Sequence, residues 1–386
     1  MKTVALSSNT TWYLYNFRIG TIRALIERHF RVVIIAPWDE FSLRLRALGC
    51  EVYDIEMDNK GSSPLADVKT FLAYRKMYRT LQPDLALHFT IKPNIYGALA
   101  ARSLGLPCVN MVSGLGTAFI RESWLTRIVE QLYKLSQSWP HKVFFQNMDD
   151  LGLFVERGLV SAEKAERVPG SGVNLAQFVA APPANNAATV FLLIARMLRD
   201  KGVVEFVEAA RLVKARHPQI RFQLLGQLGV ANRTAILREQ VEGWVAEGVV
   251  EYLGETDNVM PYIAAADCIV LPSYREGISR ILLEASAMAR PIVATDVTGC
   301  REVVDDGVSG YLCKVKDPMD LADKLECMLS QSREQRAEMG RKGREKMQRE
   351  FDEQIVIRRY LEVINEIVNP NGEACSPTAG EINTVE

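Results

Sequence analysis

Short apolar runs alternate with helix-like patterns along almost the whole chain, and this alternation limits the possible folds more than any other feature. Most runs are four or five residues long, which is the length of a buried strand rather than of a helix. Strands separated by helices pair in parallel, because each crossover helix returns the chain to the same edge of the sheet. The sequence therefore predicts an α/β protein made of doubly wound parallel sheets.

The runs fall into two consecutive sets. The first set is 4–7, 32–36, 52–55, 85–88, 108–112 and 143–146, and the second is 190–194, 221–225, 250–253, 268–271, 292–295 and 311–313. We therefore predict Rossmann-like domains at 1–175 and 189–350, joined by a linker at 176–188 that is rich in Ala, Pro and Asn. Residues 351–368 are amphipathic and predict a terminal helix, and the polar residues 369–386 predict a disordered tail. Ligands of such sheets bind at the carboxyl ends of the strands, so two domains imply a cleft between them.

Composition excludes several classes of protein. The chain has 386 residues and a net charge of −1, which gives no case for nucleic-acid binding. Seven scattered cysteines without a C-x-x-C pair, and four histidines without metal-ligand spacing, predict buried thiols in a reducing compartment and no metal site. No run approaches the roughly 20 apolar residues of a membrane span, and the first run is too short for a signal peptide, so we expect a cytoplasmic protein.

Charge is divided unevenly along the chain. Residues 1–172 carry 21 Lys and Arg against 16 Asp and Glu, a net +5, which leaves −6 for the remainder. A basic first half favours an anionic partner, such as a membrane surface or a phosphorylated lipid.

The segment from Ser273 to Ala285 carries the strongest functional pattern. It follows the apolar run 268–271, contains a turn at Gly277, and continues into a helix that Ser279 can cap. Glu276 lies in the turn and Glu284 about one and a half turns into the helix. Free N–H groups and the helix dipole suit a phosphate, and carboxylates accept hydrogen bonds from sugar hydroxyls. Two solvated glutamates at a helix start are the plain alternative.

Two neighbouring loops add to this pattern. The run 292–295 ends in a second Gly-containing loop, Gly299-Cys300-Arg301-Glu302. Arg196 and Lys201 flank the loop after the run 190–194, where cations would stabilise the charge that develops on a diphosphate leaving group. A solvated basic loop is the alternative for these two residues.

Together these segments resemble the nucleotide-sugar site of retaining glycosyltransferases of family four, which have the two-domain GT-B fold. That family carries a Glu, seven residues and a second Glu, which Glu276 and Glu284 match. The resemblance implies a UDP-linked sugar as donor, with Glu276 on the sugar hydroxyls and Glu284 on the ribose. It also implies that Arg196 and Lys201 bind the diphosphate and act in catalysis with Glu276. The remaining nucleotide-binding residues that it implies are Gly226, Gly277, Ile278 and Ser279. No Asp-x-Asp follows a predicted strand, so we expect transfer without a metal.

The first half resembles a subgroup of that family that acts on polyprenyl-diphosphate-linked sugars in capsule, O-antigen and glycan assembly. The resemblance rests on Tyr15-Asn16-Phe17-Arg18, in a predicted loop 8–18, and on Thr90-x-Lys92-Pro93 followed by Tyr96-Gly97. The acceptor-binding candidates are Arg18, His88, Lys92, Gly114 and Gly116. His88 lies inside a predicted strand, where a structural histidine is the commoner case. Segments 69–79 and 124–134 mix basic or polar with aromatic residues and are candidates for peripheral membrane contact.

Three other functions remain open at this stage. A glycoside hydrolase would use the two glutamates as acid and nucleophile, but the nearby cations argue against it. A non-hydrolysing UDP-sugar epimerase shares the fold and usually has a more acidic, His-rich cleft. A non-catalytic sugar-binding protein would bind the ligand without turnover.

Overall fold

The computed structural model describes residues 1–58, 64–114, 124–230 and 232–369, and for residues 124–128 the backbone alone. The described chain divides into two compact units. The first unit contains residues 1–145, 151–166 and the chain from Ile357 onward, and the second contains 146–150 and 167–356. The first unit is therefore assembled from parts that are far apart in sequence.

The first unit is built on a seven-stranded sheet with the order β3-β2-β1-β4-β5-β6-β7. Strands β1 to β6 pair in parallel. The strands are β1 Thr3–Ser7, β2 Arg31–Ile35, β3 Glu51–Tyr53, β4 Leu85–Phe89, β5 Cys108–Val112, β6 Lys142–Phe145 and β7 Ala165–Arg167. The described helices are α1 Thr11–Glu27, α2 Phe41–Ala47, α3 Pro64–Leu81, α4 Ala98–Arg102, α5 Trp124–Gln137 and α6 Met148–Glu156, with a π-helical turn at Pro93–Gly97.

The second unit is built on a six-stranded parallel sheet with the order β10-β9-β8-β11-β12-β13. Its strands are β8 Val190–Ile194, β9 Arg221–Leu225, β10 Glu251–Tyr252, β11 Cys268–Leu271, β12 Ile292–Thr295 and β13 Gly310–Cys313. Its helices are α7 Val203–Arg216, α8 Arg238–Ala246, α9 Met260–Ala265, α10 Arg280–Ala287, α11 Pro318–Ser330 and α12 Arg333–Lys346. Helix α13, Glu353–Val368, begins in this unit and continues into the first.

Strands β8 and β11 of the second unit are unbroken apolar runs because both faces of the sheet are covered. In β8, Phe191 and Leu193 join the core on one face, and Leu192 and Ile194 join the core on the other. The prediction of doubly wound α/β architecture is thus confirmed.

The predicted loop 8–18 is wrong, because helix α1 begins at Thr11. The Oγ1 of Thr10 accepts a hydrogen bond from the Tyr13 N–H at 3.1 Å, which caps the first turn. Asp39 adds a second acceptor, which receives the Trp12 N–H at 3.0 Å. Tyr15, Phe17 and Arg18 therefore lie on a helix.

Helix α13 completes the core of the first unit. The Tyr360 ring lies 4.9 Å from the Phe144 ring and 6.1 Å from the Phe89 ring, measured between centroids, and Tyr360 is 1% exposed.

Within the described ranges, no helix combines the length and the apolar content needed to cross a bilayer.

Both sheets share one arrangement of their first strands. The order runs outward from the first strand to the third, and then from the fourth strand in the other direction. The loops after the first and fourth strands therefore lie side by side at the switch point, where doubly wound sheets bind ligands.

Candidate active site

The loops after β8 and β11 meet at the switch point of the second sheet. Gly202 ends the first of these loops with φ 72°, and an added Cβ there would lie 2.0 Å from the Pro272 carbonyl oxygen. The Tyr274 N–H donates to the Asp200 carbonyl at 2.9 Å. The two loops are thus packed backbone to backbone, which fixes the side chains that they carry.

Lys201 and Glu276 form an ion pair across these loops. The distance from Lys201 Nζ to Glu276 Oε1 is 2.5 Å, and the Ser273 hydroxyl lies 2.7 Å from the same oxygen. The Lys201 and Glu276 side chains are 23% and 13% exposed, so the pair is held by protein but still open to solvent. Arg196 lies in the same loop as Lys201 and its side chain is exposed. The structure therefore brings the three predicted catalytic residues to one switch point.

The loop after β12 supports Glu276 from the other side. The Glu276 N–H donates to the Thr298 carbonyl, and the Ser279 N–H donates to the Gly299 carbonyl, each at 3.0 Å. Gly299 has φ 84°, and a Cβ at this position would lie 2.5 Å from Glu276 atoms. Only glycine fits this approach without moving the loop.

Glu284 lies on α10 and is 6% exposed. Its Oε1 accepts a hydrogen bond from Arg280 Nε at 2.5 Å, one helical turn away. Burial raises the pKa of the Glu284 carboxyl, and the charge of Arg280 opposes that shift. Ser279 occupies the N-cap position of α10, but its side chain makes no capping hydrogen bond, so that predicted cap is wrong.

Gly226 follows β9 with φ 142°, and an added Cβ would lie 1.9 Å from the Ala195 carbonyl oxygen. The close approach of these two backbones explains the glycine directly. Its predicted place beside the nucleotide stays a prediction.

Residues 146–150, the 146–150 segment, hold the loop around Glu276. The sequence did not predict this contact. Gln146 Oε1 accepts from the Ile278 N–H, and Asn147 Nδ2 donates to the Gly277 carbonyl, each at 3.0 Å. The resemblance predicts that the Ile278 and Ser279 N–H groups contact a diphosphate. In this structure both groups already donate to protein oxygens, so they are not free to bind one. The available signal was a pair of amides at the end of a buried strand, followed by two acidic residues.

His88 lies in the first unit and is fully buried. Its Nδ1 lies 2.8 Å from Asn110 Oδ1, and its Nε2 lies 2.7 Å from the Tyr78 hydroxyl. An amide oxygen only accepts, so Nδ1 carries the proton and Nε2 accepts from Tyr78. Burial lowers the pKa of His88 to about 4. This neutral, fully bonded ring favours the structural interpretation over a role in binding the acceptor.

The other acceptor-side candidates differ in their surroundings. Lys92 Nζ pairs with Asp67 Oδ1 at 2.7 Å, and the two side chains are 16% and 18% exposed. Arg18 is 1% exposed, and its guanidinium carbon lies 4.8 Å from the centre of the Phe89 ring. Arg18 is therefore an interior residue rather than a surface one. Gly114, with φ 137°, follows β5, and Gly116 lies outside the described residues.

The candidate membrane segment 69–79 lies within α3. Tyr74 and Tyr78 are buried, whereas Lys69 and Lys76 are exposed and Leu72 is 53% exposed. Part of the other segment, 124–134, has no described side chains.

Across the described ranges, no group of three or more His, Cys, Asp or Glu side chains comes together as a metal site requires.

Comparison with known proteins identifies the class. Residues 3–147 match the family described as Glycosyl transferase 4-like, and residues 188–331 match the family described as Glycosyl transferases group 1. The protein is a glycosyltransferase. With its two Rossmann-like domains, the chain belongs to the family-four type of glycosyltransferases with the GT-B fold.

Three similar proteins illustrate this membership. The N,N'-diacetylbacillosaminyl-diphospho-undecaprenol alpha-1,3-N-acetylgalactosaminyltransferase of Campylobacter jejuni is 29% identical over 372 residues, which cover 92% of this chain and 96% of that one. The capsular polysaccharide biosynthesis glycosyltransferase CapM of Staphylococcus aureus is 24% identical over 172 residues, 42% of each chain. The structure of Anabaena HepE in complex with UDP-glucose superposes with a TM-score of 0.78 at 18% identity, over 95% of this chain and 100% of that one. The last likeness shows the fold.

Proposed function

We propose that this protein is a retaining glycosyltransferase that moves a hexose or N-acetylhexosamine from a UDP-linked donor to a polyprenyl-diphosphate-linked sugar. The reaction would serve the assembly of a surface polysaccharide or glycan. The observation that carries the proposal is the Lys201–Glu276 pair at the switch point of the second sheet, on a loop that also carries the exposed Arg196. The acceptor class is supported by the Campylobacter relative, whose name specifies a diphospho-undecaprenol-linked acceptor and of which this chain covers 96%.

The donor chemistry follows from charge. When the bond between the anomeric carbon and the diphosphate breaks, negative charge develops on the leaving oxygen, and Lys201 and Arg196 would stabilise it. These two cations would supply what a metal supplies in other transferases, so transfer is proposed to proceed without one. On the retaining path, the acceptor hydroxyl attacks from the face that the phosphate leaves, and a phosphate oxygen takes the acceptor proton.

The two glutamates would divide the recognition of the donor. The Glu276 carboxylate accepts hydrogen bonds from sugar hydroxyls, and a donor phosphate competes with it for Lys201. Glu284 is buried and held by Arg280, so its carboxylate is pre-oriented to accept both ribose hydroxyls. Orientation of this kind lowers the entropy lost on binding.

On the acceptor side, Lys92 would bind the lipid diphosphate, with Asp67 holding its ammonium group in place. Gly114 and Gly116 would permit backbone approach to the acceptor. Arg18 and His88 are both buried, so they would act through neighbouring groups rather than by touching the acceptor. The exposed Lys69 and Lys76 of α3 are candidates for peripheral contact with the cytoplasmic face of a membrane.

The deciding experiment has two stages. Thermal unfolding is first followed with UDP, GDP, ADP and their common sugars, and we expect stabilisation by UDP compounds in the wild type but not in Glu284→Ala. The stabilising sugar is then offered with polyprenyl-diphosphate-linked acceptors, and the anomeric configuration of the product is read by NMR in the presence and absence of EDTA. An inverted product would overturn retention, and loss of activity in EDTA would overturn metal independence. Interconversion of the UDP-sugar without acceptor would identify an epimerase.

A further inference from the structure

The 146–150 segment reaches the loop that carries Glu276 through side chains. The chain enters this segment directly from β6, yet the segment belongs to the second unit. Its contacts to that loop are these: Gln146 Oε1 accepts from Ile278 N at 3.0 Å, Asn147 Nδ2 donates to Gly277 O at 3.0 Å, and Asp150 accepts from the Arg275 guanidinium. The three loop residues bracket Glu276 on both sides in sequence.

The segment is built as a buried, internally braced unit. Asn147 and Asp150 are 0% exposed and Gln146 is 8% exposed. Asn147 Nδ2 donates to Asp150 Oδ2 at 3.1 Å, and the Asp150 N–H donates to Asn147 Oδ1 at 2.8 Å. Asp149 accepts a hydrogen bond from the Thr298 hydroxyl in the loop after β12. Buried polar networks with satisfied partners fix one geometry, because any shift leaves a desolvated group unpaired.

The neighbouring loops hold Glu276 in a different way. The loops after β8 and β12 contact the Glu276 loop mainly through backbone oxygens, those of Asp200, Thr298 and Gly299. Backbone bonds of this kind fix the chain path but change little when side chains are replaced. The 146–150 segment instead holds the loop through its own side chains: the amides of Gln146 and Asn147 bond peptide groups beside Glu276, and the Asp150 carboxylate accepts from the Arg275 guanidinium.

We propose that Asn147 and Asp150 are positioning residues that set the placement of the Glu276 carboxylate for the transfer reaction. This inference rests on the proposed function, since it takes Glu276 as a group that touches the donor sugar. A misplacement of about 1 Å at a reacting centre can reduce the rate about a hundredfold. Release of one of several supports therefore reduces it by about tenfold to fiftyfold.

The kinetic test uses Asn147→Ala and Asp150→Asn, with donor and acceptor varied separately. We expect kcat/KM for the donor to fall about tenfold to fiftyfold, with the acceptor KM unchanged within about twofold. The same substitutions are then made in a Glu276→Gln background. If they act through the Glu276 carboxylate, their additional effect there shrinks to about twofold or less. An equal penalty in both backgrounds overturns the proposal, as does an unchanged donor kcat/KM.

Glu166→Gln is the matched control. It removes an Arg–carboxylate ion pair within the first unit, where Arg359 Nε lies 2.5 Å from Glu166 Oε1 and the two side chains are 27% and 28% exposed. This variant is expected to lose stability without a change in donor kinetics. If Asp150→Asn fails to fold, Arg275→Ala removes the same ion pair from its 41% exposed end.

Hydrogen exchange separates this inference from the proposed function, because it needs no substrate. In Asp150→Asn and Asn147→Ala, amides of the peptide 273–279 are expected to exchange about tenfold faster or more than in wild type. Unchanged exchange overturns the positioning role even if the enzyme is active. Faster exchange in a protein that turns over no nucleotide sugar supports the loop contacts while refuting the proposed function.

Discussion

The first four strands have the same order in both units, but the loops that meet at the switch point make different contacts. In the second unit, the loops after β8 and β11 present a partly exposed ion pair, Lys201 and Glu276. In the first unit, the loops after β1 and β4 are joined by a neutral contact, the Asn9 N–H donating to Thr90 Oγ1 at 3.2 Å. The charged residues near that junction are buried or paired, and His88 is neutral. One topology therefore joins its two switch-point loops by an ion pair in one unit and by a neutral hydrogen bond in the other.

The helix that follows the first strand starts by a different device in each unit, and this gives the largest expected effect. Gly202→Ala forces a left-handed residue with a Cβ 2.0 Å from the Pro272 carbonyl oxygen, and we expect a loss of about 4 kcal/mol. Thr10→Ala removes only a capping hydrogen bond and should cost about 1 kcal/mol. Denaturant unfolding measures both. Gly248→Ala is the control. Gly248 also has a positive φ, 76°, but an added Cβ would have no atom within 4 Å, so we expect only the backbone strain of about 1 kcal/mol. Equal losses at Gly202 and Gly248 would show that the close approach is unimportant.

The charge on the second switch point gives the next effect. Lys201→Ala is expected to reduce kcat about a hundredfold or more, since one cation at a developing charge contributes this much. Lys314→Ala, whose side chain is 77% exposed, serves as the control and should retain wild-type turnover. Steady-state rates with saturating donor decide the matter. A wild-type rate in Lys201→Ala would remove the functional contrast between the two units.

Lowering the pH should reduce the stability contributed by His88 in the first unit and increase that contributed by Glu284 in the second. The folded pKa of His88, about 4, lies below its unfolded value of about 6.5, so the unfolded chain binds the proton first. Stability from His88 is full above pH 6.5 and falls by about 3 kcal/mol as the pH drops to 4. The raised pKa of Glu284 acts in reverse, and its contribution is full below the unfolded pKa and is lost as the pH rises through the folded value.

Unfolding by urea between pH 4 and 7 measures this dependence, with wild type compared with His88→Gln and Glu284→Gln. His88→Gln should flatten the acid loss, whereas Glu284→Gln should steepen it. Parallel pH profiles for all three proteins would contradict the assignment.

The smallest effect is expected at Glu284. Glu284→Gln keeps the shape of the side chain but removes its charge and replaces one of its two acceptor oxygens with an NH2 donor, so the donor KM should rise about tenfold. Asp257→Asn, a change of the same kind in the loop after β10, provides the comparison. Isothermal titration with UDP checks the binding directly, and unchanged affinity in Glu284→Gln would remove the ribose assignment.

The strands were the part of the fold that the sequence predicted best. Runs such as 190–194 are buried on both faces, so every residue in them is apolar and the pattern needs no tertiary information. The start of α1 was missed because the Thr10 cap and the Asp39 acceptor depend on side-chain hydrogen bonds, which apolar periodicity does not report. Local polar bonds decided that boundary.

The candidate site was predictable where its residues follow strands and not where distant segments meet. Lys201 and Glu276 could be placed at the same edge of the sheet because each follows a predicted parallel strand. The burial of Arg18 depends on rings from β4 and α13, the latter more than 300 residues away in the printed sequence. The 146–150 segment contacts a loop about 130 residues further along, and no local pattern links the two.

Helix α13 has a consequence for synthesis on the ribosome. The first unit contains the first residues of the chain, but Tyr360 lies fully inside its core, against Phe89 and Phe144. That core cannot close until helix α13 has emerged from the exit tunnel. The second unit, which ends at Val356, has all its strands available sooner. The strands of the first unit are therefore made before those of the second, but their core is complete only after helix α13 has been made.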